Sequence, residues 1–207
     1  MARRRERARV TPAATPAAPG VAPAAVASGV VTGARPGAGP RDTRDLAEHV
    51  REAAARRQPL RIVGAGTWLA AGRPVAADAQ PLDAGALSGI VEYVPGDLTL
   101  TASAATPLAE IARVTAAERQ WLALDPIGDG AAGTLGATVA TASAGPLAHA
   151  FGAPRDNVLG LEAVTGTGDI VRGGGRVVKN VAGFDLVRLL TGAWGTLGVL
   201  TELARRV

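Results

Sequence analysis

The chain has 207 residues, room for one ordinary domain with its own core. Apolar residues make up 47% of it, which excludes disorder throughout, yet aromatics make up only 3%, so the core is packed from small and aliphatic side chains. The basic excess belongs to residues 1–40, with six arginines against Glu6, while residues 41–207 carry 16 basic and 17 acidic groups, a balance that argues against a nucleic-acid-binding face.

The absence of cysteine excludes disulfides, thiolate metal sites, a cysteine nucleophile and a flavin attached through sulfur. Residues 1–40 have no apolar period, and prolines at 12, 16, 19, 23, 36 and 40 break any helix. This segment reads as a disordered Arg/Ala/Pro-rich tail ahead of one domain over 41–207. The same prolines interrupt the only candidate for a signal peptide, and no stretch reaches transmembrane length.

From Asp42 to Arg57 the spacing predicts a helix. Asp42 or Thr43 can cap it, and Leu46, Val50 and Ala53/Ala54 share one face before Pro59 stops it. Leu60–Val63 is a short strand leading directly into Gly64-Ala65-Gly66-Thr67. Two more strands, Ile90–Val94 and Leu98–Ser103, precede a helix from Pro107 through Glu118, with the proline suited to the first turn. After Asp125-Pro126 the texture changes: residues 128–198 hold 16 of the 27 glycines. Val158–Thr165 and Ile170–Arg172 read as a hairpin around Gly166-Thr167-Gly168-Asp169. Phe184–Leu190 reads as a short helix and Gly198–Leu203 as a final strand.

Three segments carry candidate chemistry. The Gly64–Thr67 turn lets the backbone bend tightly and turn bare N–H groups toward phosphate oxygens, with the Thr67 hydroxyl as a further donor. It is neither a Rossmann turn, since Leu69 stands where a third glycine is required, nor a Walker A loop, since no lysine follows. The second segment, Asp125-Pro126 through Gly133-Thr134-Leu135-Gly136 to Gly145, is built of small residues with hydroxyls at 134, 138, 141 and 143. It suits a close-fitting wall against a flat ligand; the alternative is an Ala/Gly loop without a role. The third comprises Phe151–Gly160, Val177–Leu186 and Gly192–Thr201.

The order of these motifs resembles the FAD-binding domain of the p-cresol methylhydroxylase/vanillyl-alcohol oxidase type. The likeness rests on the glycine turn after the first strand, the Asp-Pro and the Gly-Thr-Leu-Gly wall. It continues in the Gly-x-x-Arg-Asp-x-Val-Leu-Gly turn and the late Gly-Thr-Leu-Gly-Val. The Val-Lys-Asn-Val-Ala-Gly-Phe-Asp-Leu stretch is most similar to the glycolate oxidase FAD-binding subunit. The resemblance covers about residues 42–204 and implies an α+β, two-lobed domain: a small α/β lobe, a larger mainly antiparallel lobe, and non-covalent FAD between them. It assigns the pyrophosphate to Gly64, Ala65, Gly66 and Thr67. Pro126, Gly133, Thr134, Gly136, Thr141, Ser143 and Gly145 line the flavin and its phosphates in this reading. Arg155 and Asp156 form the turn beside the cofactor, and Val199 presents backbone to the adenine. Arg155 reads equally as a surface ion pair with Asp156, Asp185 equally as a helix cap, and Lys179 and Asn180 equally as a structural turn or a flavin contact.

The resemblance further implies an oxidoreductase acting on 2-hydroxy acids such as glycolate. Its substrate-capping half is absent here or supplied by a partner, so no catalytic residue is named. It implies other subunits of a glycolate-oxidase-like complex, an iron–sulfur electron-acceptor subunit among them. The expected site is cytoplasmic, with any inner-membrane attachment made through partners, and neither a metal nor a nucleic acid is expected. His49 and His149 match no flavin-attachment position. Rival readings are a non-catalytic scaffold or assembly subunit keeping the fold, and a truncated gene product.

Overall fold

The computed structural model describes residues 39–128, 132–175 and 184–207; residues 1–38 of the tail expected over 1–40 lie outside them, as do Lys179 and Asn180. The first element is α1 (Thr43–Ala55), begun by Asp42, whose carboxylate accepts from the amides of Arg44 and Asp45. These bonds hold the Asp42 carboxyl below its ordinary value, the Asp45 amide most strongly. Leu46, Ala47, Val50 and Ala53 form the buried face of α1, whereas Ala54 is turned outward.

Strand β1 (Leu60–Val63) pairs in parallel with β2 (Gln80–Asp83), an element that sequence reading missed. Gln80-Pro81-Leu82-Asp83 has neither a β-branched run nor an alternation over enough residues to announce a strand. A second sheet, wholly antiparallel, runs β3 (Ile90–Val94), β4 (Thr99–Ser103), β7 (Gly198–Arg206), β5 (Val158–Thr165) and β6 (Ile170–Gly174). The fold is therefore α+β with a small parallel lobe and a larger antiparallel one, as expected. The boundary falls before β3, whose hairpin with β4 joins the larger sheet. Leu98 lies outside β4 because it takes the left-handed conformation (φ +55) that closes the hairpin turn.

Two apolar clusters flank the large sheet. One gathers Leu100, Ala102, Leu161, Leu200 and Leu203 beneath Ile111 of α2 (Leu108–Ala117), Leu135 and Val139 of α3 (Leu135–Thr141), and Leu190 of α6 (Leu186–Leu190). The other packs Leu46, Ala47 and Val50 of α1 against Leu82, Val164 and Val199, joining the small lobe to the sheet. Glu162 of β5 fastens α1 there, accepting at Oε1 from the Thr43 and Thr201 hydroxyls, each at 2.9 Å, and pairing with Arg172. Pro107 is the residue before α2 and not in its first turn: its ψ of 138° is extended, and it bridges to Thr134.

Candidate dinucleotide-binding site

A cavity of about 990 Å³ opens between β1 with its following loop, α3, and the start of β7. Its floor is the Gly64–Thr67 turn. Gly66 there has φ +76, a conformation glycine adopts without a steric penalty. A Cβ on Gly64 would lie 3.4 Å from Thr134 Oγ1, so the turn abuts the start of α3. Among the described residues, no acceptor meets the amides of Ala65, Gly66, Thr67 or Trp68. Four consecutive unengaged N–H groups on a glycine turn form a concavity that draws anionic oxygens. Arg61 supports the loop from β1 by donating through Nη2 to the Leu69 carbonyl.

The small-residue wall is helical at its centre. Thr134 caps α3, its hydroxyl oxygen accepting from Ala137 N at 3.2 Å, and the Leu135 and Gly136 amides donate to the carbonyls of Thr106 and Ala104. The first turn is thus already satisfied, and the helix contributes a face and not donors. Gly136 permits this fit, since a Cβ there would come within 2.7 Å of Ala104 Cβ. Ala137, the next residue, sits in helical backbone and carries its methyl without strain. The Thr141 hydroxyl donates to the Ala137 carbonyl at 2.8 Å.

Gly64, Ala65, Gly66, Thr67, Thr134, Gly136, Thr141 and Val199 converge on this cavity. Pro126, Gly133, Ser143, Gly145, Arg155 and Asp156 are not among its lining residues. Several of these lie along a second feature, where the Asp125 carboxylate accepts from Gly145 N (3.1 Å) and Leu147 N (2.9 Å). Ser143 Oγ accepts from Ile127 N at 2.9 Å. Gly145 is required for this clamp, because a Cβ would meet Asp125 Oδ2 at 2.5 Å. Arg155 and Asp156 form a half-exposed ion pair at 3.5 Å inside the short helix α5 (Pro154–Asn157), which follows the equally short α4 (Ala148–Phe151), and Asp156 also accepts from Ala153 N. Asp185 caps α6, accepting from Arg188 N at 2.9 Å.

Sequence reading missed Trp68, Arg73, Ala104 and Ala105 and assigned no role to Trp194 and Gly195 within the Gly192–Thr201 segment; all six line the cavity. One signal was available: of the three tryptophans, Trp68 follows one glycine turn and Trp194 lies inside another. His49 and His149 are not among the lining residues, and no group of metal-binding side chains occurs among the described residues. No described helix is long and apolar enough to cross a membrane.

The cavity fits FAD on three observations. Its volume is at the upper end of small-molecule sites, its floor presents free amides, and the residues on its α3 side are small enough for a ring system to approach the backbone.

A family model described as "FAD binding domain" matches residues 38–174. Glycolate oxidase subunit GlcE of Escherichia coli (strain K12) is 43% identical over 162 residues, 78% of this chain and 46% of that protein. Glycolate oxidase subunit GlcD of Bacillus subtilis (strain 168) is 32% identical over 163 residues, 79% of this chain and 34% of that protein. Among solved structures, alkyldihydroxyacetonephosphate synthase superimposes with a TM-score of 0.67 at 21% identity, covering 81% of this chain and 30% of that one, a likeness of fold. The chain thus spans less than half the length of these relatives.

Proposed function

Since the chain belongs to the FAD binding domain family of the p-cresol methylhydroxylase type, we propose that it serves an oxidoreductase acting on 2-hydroxy acids such as glycolate, with FAD held non-covalently in the cavity beside Gly64–Thr67. The observation that carries this reading is the convergence on one cavity of segments distant in sequence: the glycine turn, α3 and the start of β7. Two relatives named as glycolate oxidase subunits support the substrate class and the association with other subunits.

In this reading Ala65, Gly66 and Thr67 donate their amides, and Thr67 its hydroxyl, to the pyrophosphate. Gly136 and Thr141 set the distance of the wall, and Val199 offers backbone to the adenosine end. The clamp of Asp125 on Gly145 and Leu147 holds Pro126, Ser143 and Gly145 as a unit for the flavin end, with Arg155 and Asp156 at its border. Bound FAD supplies the hydride chemistry, and the protein places and polarises its ring. The acid–base and carboxylate-binding groups come from polypeptide beyond these residues or from partner subunits.

The test is direct. Purified protein is expected to be yellow, with flavin absorbance, and acid precipitation is expected to release FAD into the supernatant. Colourless protein that shows no thermal shift on adding FAD refutes the cofactor reading. Reduction of an artificial dye by glycolate, measured with the partner subunits present, tests the substrate.

A further inference from the structure

The connection between β1 and β2, residues 64–79, is long for two neighbouring strands, and loops of that length commonly cover sites. Residues 68–75 all line the cavity, while residues 70–78 are exposed to solvent, so this stretch is a wall one chain thick. Among the described residues, its Leu69, Ala71 and Ala79 amides donate only within the same loop, to the carbonyls of Gly66, Trp68 and Ala76. From outside it is held by the side chain of Arg61 on the Leu69 carbonyl and those of Gln58 and Gln80 on the Asp78 carbonyl. An exposed segment whose hydrogen bonds are few and local opens at low cost.

An aromatic contact fastens this stretch to the adjoining wall. Trp68 packs edge to face on Trp194, with centroids 5.8 Å apart and planes at 89°. The Trp194 ring also stands over Gly72, where a Cβ would lie 3.5 Å from Cζ3 of that ring. The two sides of the contact are held differently. Trp194 N donates to the Ala140 carbonyl at 2.8 Å and Gly192 N to that of Val139 at 3.1 Å, so the backbone bearing Trp194 is pinned to α3. It is held there at φ +54, between Gly192 at +78 and Gly195 at +74. A bulky residue rarely adopts that backbone, and such outliers concentrate at clamps and switch regions. Trp194 keeps 45% of its surface exposed, so core packing does not account for it.

We propose that residues 68–78 form a lid over the cavity, that Trp194 is the fixed catch on which Trp68 and Gly72 are seated, and that the lid must unseat for a dinucleotide to enter or leave. The inference rests on the FAD reading but makes a separate demand, on rates. The catch holds the lid closed over the empty and the filled cavity alike. Weakening it therefore raises entry and exit by the same factor and leaves the affinity where it was.

The experiment is stopped-flow mixing of the full chain with FAD for the association rate, dilution of the loaded protein for the dissociation rate, and isothermal titration for Kd. Trp68→Leu and Trp194→Asn should each raise both rates about two- to tenfold, the worth of one aromatic pair, with Kd unchanged. Trp121→Leu should change neither rate, since that ring packs on Phe151 and does not line the cavity. Asparagine is chosen at 194 because it tolerates the left-handed backbone; if that variant does not fold, Trp68→Leu decides. A faster exit alone, with weaker binding, would mean that the rings touch the cofactor itself and overturns the lid. Unchanged rates in the Trp68 and Trp194 variants overturn it as well, and either result leaves the FAD reading standing. Failure of the wild-type chain to bind FAD removes that reading and the lid with it.

Discussion

Arg205 lies in β7 opposite Leu100 on one side and Val158 on the other, both members of the main apolar cluster. Its side chain is fully buried, and among the described residues Nε, Nη1 and Nη2 have no hydrogen-bond partner. Desolvation pushes its pKa down to about 10, well below the ordinary arginine value. At roughly 1.4 kcal/mol per unit, the folded state disfavours this cation by about 3 kcal/mol. Methionine has similar length and flexibility and needs no partner, so Arg205→Met should stabilise the protein by about 1–4 kcal/mol. For a domain of this size each kcal/mol moves the melting temperature by roughly 2–4 °C, so a rise of roughly 2–16 °C is expected at pH 7 by calorimetry.

The pH dependence follows from the same shift. The unfolded arginine keeps its proton to higher pH than the folded one, so wild-type stability should climb as pH rises above about 10. The advantage of Arg205→Met should shrink over that window. A lower melting temperature for Arg205→Met at pH 7 would refute the reasoning, because it would mean that the guanidinium has an anionic partner.

Glu202 stands directly across β5–β7 from Glu162, and burial first, then the Glu162 charge, raises its pKa. An acid raised on folding loses stability as pH climbs from its unfolded to its folded value. Glu202→Gln should therefore raise the urea midpoint near neutral pH and have little effect in acid. Gly136→Val places carbon where Ala104 Cβ and carbonyl oxygen already stand at 2.7 and 2.8 Å, and should cost about 1–3 kcal/mol in chemical denaturation. Asp125→Ala strips two amides of their acceptor and should cost about 1–3 kcal/mol in the same assay. Unchanged midpoints in these two variants would show that the close packing and the clamp contribute nothing to stability.

Chain-local signals made much of this architecture legible. Asp42 before an apolar face at helical spacing, Val158–Thr165 and Ile170–Arg172 around a glycine turn, and Gly64–Thr67 after a strand are all written in neighbouring residues. So was the tight turn at Gly64–Thr67, because glycine spacing sets backbone shape directly. The helix α3 was not legible, since Leu135-Gly136-Ala137-Thr138-Val139-Ala140-Thr141 has weak intrinsic propensity and is held by the Thr106 and Ala104 carbonyls at its first turn. Strand β2 exists because β1 supplies its partner.

Only the tertiary structure could place Trp68 against Trp194, or bring Gly136 and Val199 to one cavity while Gly145 serves the Asp125 clamp outside it. The reason is physical: local sequence fixes dihedral preference and which face is apolar. Which distant surfaces meet depends on sheet pairing and the bulges that shift its register, as between Glu162 and Ala163 of β5. Arg205 shows the same division. Its sequence neighbourhood reads as a strand end rich in arginine, and burial between Leu100 and Val158 was decided by the sheet.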